Sequence, residues 1–372
     1  MLVSLRTRSR SAPYGSSFVA LLLTSCLFLF SACTGDNTAR TNRLTSTHRT
    51  IATTSVSSLL KMQGQMQLQT FQHWVALMQR YKGAVGPYEQ ELTGDQHALG
   101  SARTDSAYQM ALHTLDQQVK NIQMPALKVE ARSLERQLAQ QSYAWGQHHT
   151  FHDSYNGTTY QLGYEYGPNG VDSWIQDEIT GAQRSADYQQ AIEDADAFLT
   201  NFRAYQTNFS DKTPWSRFHT TDLQLLQHYQ ALKQKVIVVS LGEQALRVYN
   251  HGELVKAFQV TTGRPEKPSL PGVWSVESKQ SPTVFKSDEP RGSPYWYPDT
   301  PIHYAMLYHS GGYFIHDSWW RADYGPDTQF PHMDSSGDSF SFDGSHGCVN
   351  ISTPNAAWLY NYVEVNTRVI IY

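Results

Sequence analysis

One short segment of the sequence carries the residues best suited to covalent chemistry: Ser345-His346-Gly347-Cys348-Val349-Asn350. Of the three cysteines in the chain, Cys26 lies inside an N-terminal apolar run and Cys33 ends that run, so Cys348 is left without a disulfide partner. A single thiol beside a glycine and a histidine is typical of a nucleophile. The alternative is a small buried apolar side chain, the commonest role of an unpaired cysteine. Gly344 and Gly347, which bracket Ser345 and His346 just before the thiol, favour the nucleophile, because they allow close approach of the backbone.

The first residues predict that the protein works outside the cytoplasm. Three arginines at positions 6, 8 and 10 precede an apolar run from Phe18 to Phe30 that is short for a transmembrane span, which is typical of an export signal over residues 1–33. Ser31-Ala32-Cys33 resembles the lipobox of bacterial lipoproteins, in which the cysteine is lipidated, and ordinary signal-peptidase cleavage is the alternative. An exported pair of cysteines would oxidise, so a single thiol suits catalysis there. We therefore predict an extracytoplasmic, membrane-anchored lipoprotein of the cell envelope.

Composition and charge narrow the possible partners. The first 33 residues carry three arginines and no acids, so their removal leaves 26 basic and 33 acidic side chains and a net charge of −7. This balance argues against nucleic acid as a partner. The 22 tyrosines and 9 tryptophans fit a surface that contacts carbohydrate or peptide, although aromatic packing explains them equally well.

The elements that must position the thiol fall into two parts of the 372-residue chain. Residues 34–58 have no hydrophobic period and predict a flexible tether. Residues 59–232 predict an all-α helical module of unknown role, because apolar residues recur there at helical spacing. The stripes that predict its first two or three helices are Phe71, Trp74, Val75, Met78, then Leu112, Leu115, Val119, Ile122, then Leu127, Leu134 and Leu138.

One cluster in this module has the residue types of a metal site. His148, His149, His152 and Asp153 are close in sequence, but no second group of matching ligands accompanies them. The cluster falls between predicted helices, where solvated histidines are ordinary. We predict no metal and no organic cofactor for the protein.

Residues 233–372 predict a second, mainly-β domain, a small barrel or sandwich. The β-branched run Val236 to Ser240 is followed by two apolar segments that flank Asn250-His251-Gly252-Glu253, a hairpin signal. Short strands and Gly/Pro turns continue from there, and Thr367 to Tyr372 predicts the last strand.

This second domain resembles the L,D-transpeptidase catalytic domain of bacterial cell-wall enzymes, the YkuD-type fold. The resemblance covers residues 235–372. It rests on the hairpin Val236 to Gly263, the segment Pro271 to Trp274, His316, and the motif Ser345 to Asn350. The fold class implied is multi-domain, with an N-terminal all-α helical module followed by a mainly-β L,D-transpeptidase domain. One departure is the 28-residue spacer between His316 and Ser345, about twice that of the simplest family pattern, which is either a substrate wall or a surface flap packed on itself.

The resemblance implies a reaction on peptidoglycan stem peptides as donor and acceptor. Cys348, stored as a thiolate beside an imidazolium, attacks the carbonyl of an L-centre, releases the terminal D-residue, and passes the acyl group to an amine. His316 is the implied acid and base, and a backbone carbonyl of the next residue, Asp317, would hold its other nitrogen. His346 is the rival base, but we expect it to order the loop instead. The cellular tasks implied are cell-wall cross-linking, wall biogenesis and cell shape.

The remaining site residues follow from the position of the thiol. The backbone N–H groups of Gly347 and Cys348 are natural oxyanion donors, and Ser345 and Asn350 are expected to brace the loop. The substrate is expected to contact aromatic and acidic side chains upstream, namely Tyr304, Tyr308, Asp317, Trp319 and Trp320.

Two other classes of function stay open. An L,D-carboxypeptidase or cysteine peptidase would use the same thiol and let water complete the reaction. A non-catalytic peptidoglycan-binding lipoprotein would need neither Cys348 nor His316, and the presence of both residues argues against it.

Overall fold

The computed structural model describes residues 55–372, and the predicted lipidation site Cys33 and most of the tether lie outside them. Its helices follow the prediction of an N-terminal helical module. They are α1 (Ser58–Arg80), α2 (Gly86–Ser101), α3 (Asp105–His148), α4 (Val171–Gly181), α5 (Ser185–Phe209) and α6 (Thr220–His228). A short hairpin, β1 (Thr150–His152) with β2 (Thr159–Gln161), and a 3-10 turn at Tyr164–Tyr166 interrupt the helices. The module is therefore predominantly, but not wholly, α-helical.

Helix α3 is a single element of 44 residues where the apolar stripes predicted a succession of shorter helices. Thr104 caps its start by accepting from the N–H of Ala107, and Pro125 lies in its interior. Proline removes one backbone donor from a helix. The helix nevertheless continues because Ile122, Ala126 and Leu127 on both sides of the proline are buried.

The distal part of the module has a hydrophobic core of its own. Phe71, Val75 and Met78 of α1 pack with Leu115 and other residues of the first half of α3. The two helices also start side by side, because the N–H of Ser57 donates to the Asp105 carboxylate over 2.8 Å. This end of the module therefore packs around a cluster separate from the core described next.

The second half of α3, α4, α5 and α6 share one continuous core with the β-rich domain. Buried polar groups at this junction are paired. The Asn201 amide of α5 donates to the carbonyls of Gly272 and Ile371, and it accepts from the Tyr229 hydroxyl over 2.6 Å. Because a buried amide left unpaired costs about 1–3 kcal/mol, these bonds specify how α5 lies on the sheet.

The C-terminal domain is built from two main sheets, as the strand signals predicted. One sheet has the order β5-β4-β3-β13-β6 and the other β12-β11-β10-β7, and β8 pairs with β9 in a separate ribbon. The strands are β3 (Lys235–Ser240), β4 (Ala245–Asn250), β5 (Glu253–Gln259), β6 (Gly272–Ser275), β7 (Ser278–Gln280), β8 (Thr283–Phe285), β9 (Thr300–Ile302), β10 (Ala305–His309), β11 (Tyr313–Asp317), β12 (Val349–Ile351) and β13 (Arg368–Ile371), with helix α7 (Thr353–Tyr362) between the last two. The β4–β5 turn adopts positive φ at His251 and Gly252, the geometry of the predicted hairpin.

A buried ionic cluster attaches α6 to the back of the larger sheet. The Arg247 guanidinium on β4 contacts the Asp222 carboxylate of α6, with the closest pair of atoms 2.5 Å apart, and both side chains are inaccessible to solvent. The hydroxyls of Tyr249 and Tyr372 donate to the same carboxylate. The four groups satisfy one another, which is the condition for tolerating buried charge.

Across residues 55–372, none of the helices combines the length and the apolar character that a membrane crossing requires.

Candidate active site

Two parallel strands bring the predicted nucleophile and base to one side of a sheet. Strand β11 ends at His316 and Asp317, and it pairs in parallel with β12 so that His316 lies opposite Asn350. Cys348 comes directly before β12. Because side chains alternate between the faces of a strand, Cys348 and Asn350 project to the same face as His316.

The loop that carries Cys348 is closed by its own side chain and backbone. The Ser345 hydroxyl donates to the Cys348 carbonyl over 2.5 Å, as expected of a bracing residue, and it accepts from the Gly347 N–H over 3.1 Å. Gly347 has φ +108, and a Cβ there would lie 2.8 Å from the ring of Tyr313. Only glycine fits this position without strain. In this geometry the Gly347 N–H is engaged by Ser345, and its role as an oxyanion donor stays a prediction.

The thiol of Cys348 is partly exposed and surrounded by backbone. Its Sγ lies 3.7 Å from the Gly312 carbonyl oxygen. Burial raises the pKa of Cys348 to about 11, and the N–H of Phe314 opposes the shift only in part. A thiolate stored at neutral pH, as the resemblance implied, does not fit these surroundings, because a charged sulfur loses solvation that the Phe314 N–H replaces only in part. The resting group is therefore the neutral thiol.

His316 is oriented by a hydrogen bond at each ring nitrogen. Its Nδ1 lies 2.8 Å from the Asp317 carbonyl, as the resemblance implied, and its Nε2 lies 3.0 Å from the Asn350 amide nitrogen. The carbonyl can only accept, so Nδ1 carries the proton and Nε2 accepts. Burial lowers the pKa of His316 to about 4. The imidazole is therefore neutral at physiological pH, in contrast to the predicted imidazolium, with its basic nitrogen on the side of Asn350.

Asp317 supports the histidine without reaching the cleft. Its carboxylate is fully buried and accepts from the N–H groups of His303 and Tyr304, and His303 Nδ1 lies 2.7 Å from it. The prediction of substrate contact by Asp317 is wrong, because its side chain points into the protein and closes the connection between β9 and β10.

His346, the rival base, packs among aromatic rings. Its ring lies 6.3 Å from that of Tyr295 and 5.5 Å from that of Tyr297. Burial lowers the pKa of His346 to about 4, and the charges of Arg264 and Lys267 lower it further. This packing favours a role in ordering the loop, which stays a prediction.

The predicted aromatic contacts divide into buried and cleft-facing residues. Tyr308 is buried beneath the loop and its hydroxyl donates to the Gly347 carbonyl over 3.4 Å, so its prediction as a substrate contact is wrong. Tyr304 packs on Tyr360 and is half-buried. The ring centroids of Trp320 and His316 are 6.2 Å apart. Trp319, which is 52% exposed, packs edge-on against the ring of Trp320. The two tryptophans are the members of the predicted set that can face a substrate.

Residues of the β8–β9 ribbon contribute to the site and were missed from the sequence. The Phe285 ring lies 4.9 Å from that of His316. Burial and the neighbouring Cys348 raise the pKa of Tyr297 to about 12. The run Pro294-Tyr295-Trp296-Tyr297-Pro298 was a usable signal, since it has three consecutive aromatic residues between two prolines.

The long spacer between His316 and Ser345 is packed, with defined internal bonds. Arg321 donates to the carbonyls of Ser341 and Asp343 over 2.9 and 2.7 Å. Phe330 is inaccessible to solvent and stacks on Phe151 and Tyr160 of the β1–β2 hairpin. Most of this segment therefore packs on itself and on the β1–β2 hairpin, and a substrate wall, the other predicted alternative, stays a prediction for the tryptophans at its start.

The histidine cluster of the module has other contacts. His149 stacks on Trp145 with ring centroids 3.3 Å apart, and His152 Nδ1 lies 3.1 Å from the Thr159 hydroxyl. Asp153 accepts from the N–H of Tyr155. Within residues 55–372, no three histidine, cysteine or acidic side chains group as metal ligands would.

Comparison with known proteins identifies the C-terminal domain. Residues 234–371 match the family model described as the L,D-transpeptidase catalytic domain. The chain is 26% identical over 140 residues to L,D-transpeptidase 2 of Mycobacterium tuberculosis, covering 37% of this chain and 31% of that protein. It is also 26% identical over 155 residues to L,D-transpeptidase 1 of M. tuberculosis, covering 41% of this chain and 56% of the relative. The matches thus span between about a third and just over half of these relatives.

Solved structures with the same description are similar over the same part. A mutant L,D-transpeptidase from Enterococcus faecium has 29% identity and a TM-score of 0.31, with 37% of this chain and 50% of that chain covered. The catalytic domain of an E. faecium L,D-transpeptidase, solved by NMR, has 29% identity and a TM-score of 0.30, with 38% of this chain and 98% of that chain covered.

Proposed function

We propose that this protein is a peptidoglycan L,D-transpeptidase with Cys348 as its nucleophile, because residues 234–371 match the family model described as the L,D-transpeptidase catalytic domain. The observation that carries the proposal is the placement of Cys348, Asn350 and His316 on one face of the paired strands β11 and β12. The accepting nitrogen of His316 thus lies against Asn350, two residues after Cys348 on the strand that the nucleophile loop enters. Thiol and base side by side are the minimum for acyl transfer through a thioester.

The neutral resting pair requires proton transfer during attack. Sγ of Cys348 adds to the carbonyl carbon of the L-centre while its proton moves to Nε2 of His316, which exchanges its contact with the Asn350 amide for the thiol. The tetrahedral intermediate then expels the terminal D-residue, whose amine takes that proton from the imidazolium. What remains is a thioester and a neutral histidine. The Asp317 carbonyl stabilises the transient imidazolium through Nδ1.

The second half of the reaction reverses these roles. An acceptor amine attacks the thioester, His316 removes its proton, and the departing sulfur recovers that proton as the C–S bond breaks. The free Cys348 N–H is the group we assign to the oxyanion, since the Gly347 N–H is used by Ser345. Trp319 and Trp320 line the side from which substrate approaches His316.

Product analysis tests this function and separates it from the hydrolytic alternative. The purified protein is incubated with a tetrapeptide stem, and the products are resolved by mass spectrometry. We expect a cross-linked dimer together with the released D-residue. Tripeptide without dimer would identify an L,D-carboxypeptidase, and unchanged tetrapeptide would favour the non-catalytic, peptidoglycan-binding lipoprotein.

We also propose that the enzyme acts outside the cytoplasm and is held on the membrane by lipid at Cys33. The support is the basic start, the apolar run and the Ser31-Ala32-Cys33 ending. Buried acyl chains contribute roughly 0.8 kcal/mol per CH₂, and stable anchoring takes two chains.

Substituting the anchor cysteine tests this proposal. Cys33→Ser is expected to release the protein from the membrane fraction or to leave its signal uncleaved, as measured by fractionation and intact mass. A wild-type protein that is wholly soluble, with an unmodified N-terminus other than Cys33, would instead establish ordinary secretion.

A further inference from the structure

The helical module touches the catalytic domain next to the nucleophile loop through a tyrosine. The Tyr164 hydroxyl, in the 3-10 turn after the β1–β2 hairpin, donates to the Gly263 carbonyl over 2.6 Å. Burial raises the pKa of Tyr164 well above its ordinary value, so the hydroxyl stays a donor at any physiological pH. The bond crosses from the module to the segment that follows β5.

That segment is the partner of the nucleophile loop. Gly263 and Ser345 form a β-bridge, and the N–H groups of Arg264 and Ser345 donate to the carbonyls of Ser345 and Thr262. The Gly263 N–H donates to the Ser269 hydroxyl, which in turn donates to the Gly347 carbonyl over 2.9 Å. A displacement of Gly263 is therefore transmitted to both ends of the Ser345–Cys348 turn.

A second contact of the module lies at the end of strand β10. Trp174 of α4 stacks on Trp274 of β6 with ring centroids 5.7 Å apart, and the ring of His309 lies edge-on to both, at 4.8 and 5.0 Å. Aromatic pairs in this arrangement are specific in geometry as well as apolar. They hold the end of β10, where the chain turns towards β11.

This turn presents a backbone acceptor to the sulfur. His309 accepts from the Gly311 N–H at its Nδ1 and from the Gly312 N–H at its carbonyl. Gly312 then offers the carbonyl that lies 3.7 Å from Sγ of Cys348. Trp174 is thus linked to the sulfur in two steps. Its ring contacts His309, and the turn from His309 to Gly312 ends at the carbonyl that faces Sγ.

We propose that Tyr164 and Trp174 are positioning residues for Cys348, so that the helical module supplies two of the supports of the catalytic site. Neither residue touches the reacting atoms. Tyr164 fixes the strand segment that pairs with the nucleophile loop, and Trp174 fixes the turn whose carbonyl faces the thiol. The expected effect on transpeptidation rests on the proposed function. The expected effect on the reactivity of the Cys348 thiol does not depend on it.

The test compares matched tyrosine variants in the full chain. Tyr164→Phe removes only the hydroxyl that contacts Gly263. Tyr108→Phe is the control, because its hydroxyl also donates to a backbone carbonyl, that of Lys61, but in the separate distal core. Each protein is assayed for transpeptidation of the tetrapeptide stem. It is also assayed for alkylation of Cys348 by iodoacetamide as a function of pH, with the Cys348 peptide quantified by mass spectrometry and thermal unfolding recorded.

We expect Tyr164→Phe to lower kcat by about three- to tenfold with KM unchanged, the size of effect that one lost hydrogen bond produces. We also expect the alkylation profile of Cys348 to move to lower pH, because a loosened loop admits water that solvates the thiolate. Tyr108→Phe should match the parent in both assays. For the second contact, Trp174→Ala should lower kcat by about tenfold, and Trp174→Phe, which keeps a ring against His309, should recover most of it.

The two assays separate failure of this inference from failure of the proposed function. If the parent protein makes no dimer but Tyr164→Phe still shifts the alkylation profile relative to Tyr108→Phe, the proposed function is wrong and the positioning role stands. If Tyr164→Phe and Trp174→Ala alkylate and turn over like the parent, the positioning role is overturned. A loss of kcat in both tyrosine variants would also overturn it, since the effect would then be one of general stability.

Discussion

Cys348→Ala is expected to abolish acyl-enzyme formation and to leave the fold intact. Losing the nucleophile of an acyl-transfer site costs on the order of 10⁶ in kcat, so release of the terminal D-residue should fall to background. The thiol is small and partly exposed, and its removal should therefore cost only about 1 kcal/mol in the free energy of unfolding. The measurements are intact mass of the protein with the tetrapeptide stem and thermal unfolding.

The covalent adduct makes this prediction specific. Parent protein should gain the mass of the tripeptide acyl group, located at Cys348 by peptide mapping, and Cys348→Ala should gain none. Continued release of the D-residue by Cys348→Ala at the parental rate, with normal unfolding, would show that the thiol is not the nucleophile.

His316→Gln is expected to slow acylation by about two to four orders of magnitude, the usual contribution of a general acid and base. Glutamine is close in size and keeps polar atoms near Asn350 and the Asp317 carbonyl, so the fold should survive. The effect should depend on pH in a predictable direction. Burial lowers the pKa of His316 to about 4, and the neutral form is the one that accepts the thiol proton. The acidic limb of the acylation rate should therefore lie near pH 4 and not near the ordinary histidine value.

His346→Gln is the control, because burial also lowers the pKa of His346 to about 4. The acidic limb should persist in His346→Gln and disappear in His316→Gln, as measured by single-turnover acylation between pH 3 and pH 8. If His316→Gln acylates within tenfold of the parental rate, His316 is not the base. If the acidic limb disappears in His346→Gln, His346 is the base.

Local sequence patterns predicted the parts of the site that depend on neighbouring residues. The β-branched run and the His251-Gly252 turn predicted the opening strands of the β domain. The apolar run before His316 predicted its place at a strand end. These predictions succeeded because period, turn chemistry and motif spacing are properties of short segments.

Protonation states, and residues that reach the site from segments distant in sequence, could not be predicted in the same way. The neutral states of Cys348 and His316 follow from burial, which packing of the whole domain decides. Phe285 reaches His316 from a ribbon about 30 residues upstream, and no local pattern connects the two. Helix α3 continues through Pro125 because burial of its neighbours outweighs the free-energy cost of a proline inside a helix. Helix propensity, which describes single residues, does not include that burial.

The long helix α3 also sets a distance scale for the protein. At about 1.5 Å per residue, its 44 residues extend for about 66 Å. Ser57, where the tether meets the module, is bonded to Asp105 at one end of this rod, and the hairpin that leads to Tyr164 and the catalytic domain follows its other end. If Cys33 is lipidated as we propose, the rod adds its own length to the reach of the predicted tether. A shortened α3 would then lower the greatest height above the bilayer at which Cys348 could meet a stem peptide.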